Sequence, residues 1–419
     1  MLKMNLSSAP INFDTYSNVE KKQFFLKLRV IKHLYIAGPT SVLGICRELA
    51  TSSPTIMQIL NELLKEDQVE KYGQGESIGG RKPDLFRLKD DTLYVLSIHM
   101  EKFRIRMVIL DSNHNHVSDI KSFPIEISKD LSTIDEIYAK ANDLIEKSGI
   151  DASKFSAVGI SMPGLISGYG GENYTYFLTK KESKSITAIL REKFNKPVFI
   201  QNDAKAITLA ERYFGQAQSK KEVLVLSVDW GIGLGIMMDY SLRSGTSGFA
   251  GEFGHIPMVD DGLLCHCGKK GCLETIASGA ALTRMIREGL KGGQPSILNQ
   301  KPLEKIETEE IIDAANMGDQ FAIEMLSKIG FSLGKGLSVL IQLFNPELII
   351  IGGKMAAARQ YITTPVQQSI NTYCMTQLRE KTKIELSQLG EDAGLKGGVA
   401  IVMENLFLDL FEDTTKTSK

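Results

Sequence analysis

The chain has 419 residues, 43% hydrophobic and 24% charged, with a formal net charge of −1. That length predicts two or three domains, and the ordinary apolar fraction excludes wholesale disorder and collagen-like repeats. Near-neutral charge makes any attraction to nucleic acid local rather than global.

Residues 1–19 and 411–419 are expected to be mobile ends. No apolar run reaches transmembrane length, and MLKMNLSSAPINFD lacks the apolar core of a secretory signal, so a cytoplasmic protein without membrane contact is expected. From Glu20, Phe24, Phe25, Leu28, Ile31 and Leu34 recur at helical spacing up to a stop at Gly38-Pro39. Thr40 or Ser41 can cap a short second helix running to Ala50. Ser53 caps a third, with Pro54 at its first position and Ile56, Leu60, Leu63 and Leu64 on one face. Gln68–Tyr72 and Leu85–Leu88 read as strands around a glycine-rich, basic tip, Gly73–Pro83.

Three helices and a hairpin predict a winged helix-turn-helix over residues 20–90, with its third helix in the major groove of operator DNA. The polar outward residues Ser52, Ser53, Thr55, Gln58 and Asn61 suit base edges or phosphates, and Arg81 and Lys82 at the tip suit the backbone. Residues 20–90 hold 12 basic against 9 acidic side chains, so charge alone lends modest support. A small helical packing module has the same outline.

The remainder alternates strands and helices, an α/β layout. Leu93–Ile98 and Ile105–Asp111 form an antiparallel pair, Ser132–Ser148 a helix, and Ala157–Ile160 a strand ending at Met162-Pro163-Gly164. Strand Pro197–Gln201 feeds helix Ala204–Phe214, and strand Val223–Val228 runs into Gly231-Ile232-Gly233-Leu234-Gly235. A long helix, Phe321–Phe344, precedes strand Glu347–Ile351 and Gly352-Gly353. Glycine turns at strand ends are where open α/β sheets place ligands. No internal repeat stands out.

Five cysteines are too few for a disulfide scaffold, and Cys265, Cys267 and Cys272 fall within eight residues. With one imidazole they make a closed Cys3His zinc site of the structural kind. The fourth ligand is His255 or His266. Sterics favour His255, because His266 is squeezed between two cysteines.

Gly251-Glu252-Phe253-Gly254-His255 followed by Cys265-His266-Cys267-Gly268-Lys269-Lys270-Gly271-Cys272-Leu273-Glu274 resembles the signature of the ROK family of repressors, open reading frames and kinases. The likeness extends to Gly79-Gly80-Arg81-Lys82-Pro83, Gln201-Asn202-Asp203-Ala204, Ile350-Ile351-Gly352-Gly353 and Ala393-Gly394-Leu395-Lys396-Gly397-Gly398. It implies a two-lobed, actin-like sugar-kinase fold over residues 91–410, with a winged domain appended. It implies zinc on His255, Cys265, Cys267 and Cys272, and sugar contacts at Asn202, Asp203, Glu252, His255 and Glu274, with Gly164 a further sugar-site position. Asp203 takes the place of the family's general base, although Asn202-Asp203 would also suit a simple helix cap.

The family's kinases carry Asp-x-Gly-x-Thr between their first two strands, and here those positions read His99, Glu101 and Phe103. A carboxylate and a ring there oppose phosphate by charge and volume, and Trp230 precedes the second glycine run. The expectation is a transcriptional regulator, most simply a repressor, that binds a sugar or sugar phosphate and catalyses nothing. Two-fold operator reading and the resemblance predict a homodimer or dimer of dimers. A sugar kinase is the alternative.

Overall fold

The computed structural model describes residues 17–76, 82–127, 132–167, 171–176 and 184–416, with only the backbone for Ala152 and 407–416. The expected mobility of residues 1–16 and 417–419, and the wing residues Gly79, Gly80 and Arg81, lie outside the described residues. The chain divides into two compact units, one of residues 1–166, 170–201 and 397–419, the other of residues 167–169 and 202–396.

The first unit opens with α1 (Asn18–Ala37), α2 (Val42–Leu49) and α3 (Ser53–Lys65). Helix α1 starts two residues before the expected position, because Ser17 caps it and Glu20 closes a capping box. Ser41, not Thr40, caps α2 by accepting the Gly44 N–H at 3.2 Å. Ser52, not Ser53, is the N-cap of α3, and its hydroxyl turns to Thr55 Oγ1 at 2.8 Å. The buried face of α3 is Ile56, Ile59, Leu60 and Leu63, while Leu64 is half-buried. Lys27 on α1 donates to Glu66 just past α3 at 2.6 Å, joining the two helices. Strands β2 (Val69–Gln74) and β3 (Asp84–Leu88) form the expected hairpin, and β1 (Thr40–Ser41) adds a third strand beside β3.

The same unit holds a sheet of β4 (Tyr94–Met100), β5 (Arg104–Leu110), β6 (Lys121–Pro124), β7 (Phe155–Met162) and β8 (Val198–Asn202), in the order β6-β5-β4-β7-β8. Register is Val95 opposite Leu110 and Met100 opposite Ile105, and β7 lies parallel to β4. Helices α4 (Ser132–Ser148) and α5 (Ile186–Phe194) belong to this unit, and Ile134, Ile137, Ala141 and Leu190 join its apolar core.

The second unit repeats the scheme with β9 (Val223–Val228), β10 (Ile232–Met238), β11 (Ser241–Leu242), β12 (Leu348–Gly352) and β13 (Lys383–Leu386), in the order β11-β10-β9-β12-β13. In chain order both sheets read third-second-first-fourth-fifth, so the fold contains a duplication that the sequence hides. Its helices are α6 (Asp203–Phe214), α7 (Glu274–Ala277), α8 (Gly279–Lys291), α9 (Thr308–Asn316), α10 (Gln320–Phe344), α11 (Gln360–Tyr373) and α12 (Thr376–Arg379). The last helix, α13 (Ala393–Lys416), begins in this unit and ends in the first. In the first unit its Gly398 is obligatory, because a Cβ there would collide with Ser97 Oγ on β4. No described helix is long and apolar enough to cross a membrane.

Candidate functional site

Asn202 ends β8 and caps α6, its Oδ1 accepting the Lys205 N–H at 3.3 Å. The plain capping role is therefore real for Asn202. Asp203 takes the first helical position, where Oδ1 accepts the Ala204 N–H at 2.8 Å. Burial, reinforced by the carboxylates of Asp229 and Glu252, pushes Asp203 up to about 7 despite that bond. At neutral pH its carboxyl is divided between proton donor and acceptor.

Two residues missed from sequence belong here. Lys205 is buried, donates its Nζ to Gly248 O and thereby ties α6 to the loop that carries Gly251-Glu252. Asp229 directly follows β9, accepts from the Ser227 hydroxyl at 2.9 Å and from the Lys354 N–H at 2.7 Å, and lies against Gly353. The ammonium is betrayed only by a lysine inside an otherwise apolar helical face; Asp229 by a carboxylate directly before the glycine run.

That glycine run is not a loop. Gly233 and Gly235 lie within β10, facing α6: a Cβ on Gly233 would stand 2.6 Å from that of Ala204, and one on Gly235 would collide with Thr208 Oγ1. A Cβ on Gly231 would meet Glu274 Oε2. The alternation lets a helix and a carboxylate press against one strand.

Beyond β11 the chain makes a knuckle. Cys265 N–H bonds Lys269 O at 2.8 Å, and Gly271 adopts φ +73°, where a side chain would also strike Val259 O. One sulfur or nitrogen from each of His255, Cys265, Cys267 and Cys272 lies within 4.8 Å of the others. Cys265 Sγ to His255 Nδ1 is 3.6 Å and Cys267 Sγ to Cys272 Sγ is 3.6 Å. Ligands about 2.0–2.3 Å from one tetrahedral ion stand at such separations, so the donor set fits a metal. Burial and the neighbouring sulfurs push the Cys272 thiol up to about 12, and a divalent cation would supply the charge to ionise it. His255, not His266, stands with the three thiols. His266 is largely exposed, and its Nδ1 lies 3.0 Å from Glu274 Oε1 and 3.9 Å from Cys265 Sγ.

His255 divides its ring. Nδ1 faces the sulfurs, while Nε2 lies 3.9 Å from Glu252 Oε2. Glu252 is itself held above the usual carboxylate range by burial. Glu274 turns Oε2 to the Ile232 N–H at 3.0 Å. Asn202, Asp203, Glu252, His255 and Glu274 thus belong to one unit. Gly164 belongs to the other, at φ +104° beside Asn173, whose side chain donates to Pro163 O and accepts from Thr175 and Tyr176 N–H, each at 2.9 Å. Asn173 organises that turn, and no motif announces it.

In the first unit His99 is buried against Ser161 Oγ at 3.2 Å, and burial depresses its ring to about 4, leaving it neutral. Glu101 pairs with Arg104 at 2.8 Å, which offsets part of the charge expected to oppose phosphate. Phe103 is exposed at the hairpin tip. On α3, Ser52, Ser53, Gln58 and Asn61 are exposed and Thr55 half-buried; Lys82 is exposed beside the wing.

A model described as the ROK family matches residues 95–405. The xylose repressor of Caldicellulosiruptor bescii is 29% identical over 385 residues, 91% of this chain and 96% of its own, a span too long for the family domain alone. The glucokinase of Thermotoga maritima is 32% identical over 276 residues, 65% of this chain and 86% of the kinase. The crystal structure of a ROK family transcriptional regulator, a homologue of the Escherichia coli Mlc protein, superposes with a TM-score of 0.75 at 24% identity, over 94% of this chain and all of that one.

Proposed function

The chain belongs to the ROK family, and from that premise we propose that it is a sugar-responsive transcriptional repressor. In this reading residues 20–90 bind operator DNA and residues 91–410 bind a sugar or sugar phosphate. The likeness to a xylose repressor along 91% of the chain supports the pairing of the two functions.

One observation carries the sugar site: the divided ring of His255. Zinc, bound by His255, Cys265, Cys267 and Cys272, supplies a rigid anchor and no open coordination position. Holding Nδ1 to that cluster leaves Nε2 for a sugar hydroxyl beside Glu252. Asp203, Asn202 and Glu274 add acceptors and an amide. Asp203, with its carboxyl near neutrality, both donates to and accepts from hydroxyls.

The residues at the family's first phosphate motif support this reading over phosphoryl transfer. His99, Glu101 and Phe103 offer no hydroxyl or glycine for phosphate. Asp229 places an internal carboxylate on the Lys354 N–H, at the carboxyl ends of β9 and β12. For DNA binding, Ser52, Ser53, Thr55, Gln58 and Asn61 would serve the groove and Arg81 and Lys82 the phosphate backbone. A homodimer would present two such helices.

Asp203 also suits a general base, and the glucokinase likeness favours a sugar kinase as the second reading. Coupled ATP turnover with hexoses, pentoses and N-acetylhexosamines separates them. Background rates are expected; turnover of about one per second or faster establishes the kinase.

A further inference from the structure

The loop after β5 is braced from within. Asp111 Oδ1 accepts the Asn113 N–H at 2.8 Å and the Asn115 N–H at 2.9 Å. His114 is held between them at φ +64°, a left-handed backbone that a non-glycine residue adopts only when its surroundings dictate it.

From this brace the side chains reach into the winged-helix module. Asn113 Nδ2 donates to Leu88 O at 2.9 Å, at the end of β3, and to Asp90 Oδ1 at 2.8 Å. His114 Nε2 lies 2.8 Å from Tyr35 O, and the two rings meet at a 59° tilt with centroids 4.7 Å apart. Tyr35 is in the last turn of α1, whose carbonyls have no partner within the helix. The lobe therefore caps the helix of its neighbour. A cavity of about 240 Å³ lies beside the contact, lined by Tyr72, Arg87 and His114 among others, with room for these side chains to move.

The opposite end of β5 is the Glu101–Arg104 hairpin. One strand thus runs from the position of the family's first phosphate motif to the cap on α1. We propose that the Asp111–Asn115 loop is the latch through which the lobe sets the orientation of the winged helix, with His114 as its positioning residue. The coupling half of this inference rests on the repressor reading; the latch half does not.

His114→Gly is the informative variant, since glycine keeps the left-handed backbone without strain and removes only the ring and its bond. His114→Asn, which also tolerates that backbone, is the second variant should the first fold poorly. Hydrogen–deuterium exchange on the full chain should accelerate about tenfold in residues 30–38, as loss of one buried bond and a ring contact implies, with the zinc loop unchanged. Operator DNA is selected by the wild-type chain from random duplexes, and D-xylose, D-glucose and N-acetylglucosamine serve as sugar probes. The sugar-dependent change in DNA affinity should shrink about tenfold in either variant. Unchanged exchange overturns the latch, whatever the DNA result. Accelerated exchange with an intact sugar response overturns the coupling. A wild-type chain that ignores every sugar sinks the repressor reading, while exchange still decides the latch.

Discussion

Glu274 Oε2 accepts the backbone N–H of Ile232 at 3.0 Å, a bond between residues 42 apart that ties the cysteine knuckle to the start of β10. Glu274 follows Cys272 by two residues, so whatever orders the knuckle also places this carboxylate.

Metal removal should therefore disturb more than the knuckle. Elemental analysis should find about one zinc per chain, the complement of a single closed site. Cys267→Ser should lose it, lower the Tm and weaken sugar binding roughly 10- to 100-fold, as removal of an orienting shell does. A Cys267→Ser chain that keeps its metal and its Tm would exclude the assignment.

Asp203 gives a pH dependence of known sign. Its folded value, about 7, lies above the ordinary carboxylate value, so its ionisation costs the fold. Its contribution is intact below about pH 4 and is lost as pH rises through about 7. The stability gap between Asp203→Asn and wild type should widen from pH 5 to pH 8 by roughly 1–3 kcal/mol, a few degrees in Tm, and the variant should lose sugar-dependent thermal shifts. Equal Tm values at both pH values would contradict the buried carboxyl.

Gly233→Ala tests the packing role of the glycine strand. A methyl 2.6 Å from the Ala204 Cβ should cost about 1–3 kcal/mol in denaturant unfolding, with no nucleotide present. A neutral effect would return the glycines to a ligand role.

Much of this was legible because helical and strand periods are local. Phe24, Leu28 and Ile31, or Val223–Val228, declare their elements without tertiary help. The His255, Cys265, Cys267 and Cys272 cluster was legible because sulfur and imidazole at short spacing have few other uses. What failed was non-local. Gly233 and Gly235 looked like a phosphate turn until α6 was seen lying on them. The pairing of Glu101 with Arg104 arises only in the folded hairpin. The duplication of the two sheets survives in topology, and His114's reach to Tyr35 spans 79 residues, beyond any pattern.

Changing Arg81 and Lys82 together to Ala should weaken binding to all duplexes alike and reduce the salt slope by about 2, one per phosphate contact. Gln58→Ala should instead alter sequence preference. An unchanged salt slope would remove the wing from the interface.

The central claim is that a sugar held in the second unit changes DNA affinity at α3 without being phosphorylated. Fluorescence anisotropy of a selected operator duplex tests it most directly, titrated with the full zinc-loaded chain with and without D-xylose, D-glucose or N-acetylglucosamine, in the absence of ATP. The account predicts that at least one sugar shifts the apparent Kd about 5- to 150-fold, the usual span of allosteric coupling, and that Asp203→Ala abolishes the shift while sparing the sugar-free complex. A Kd that no sugar moves, or a shift that Asp203→Ala leaves intact, contradicts it.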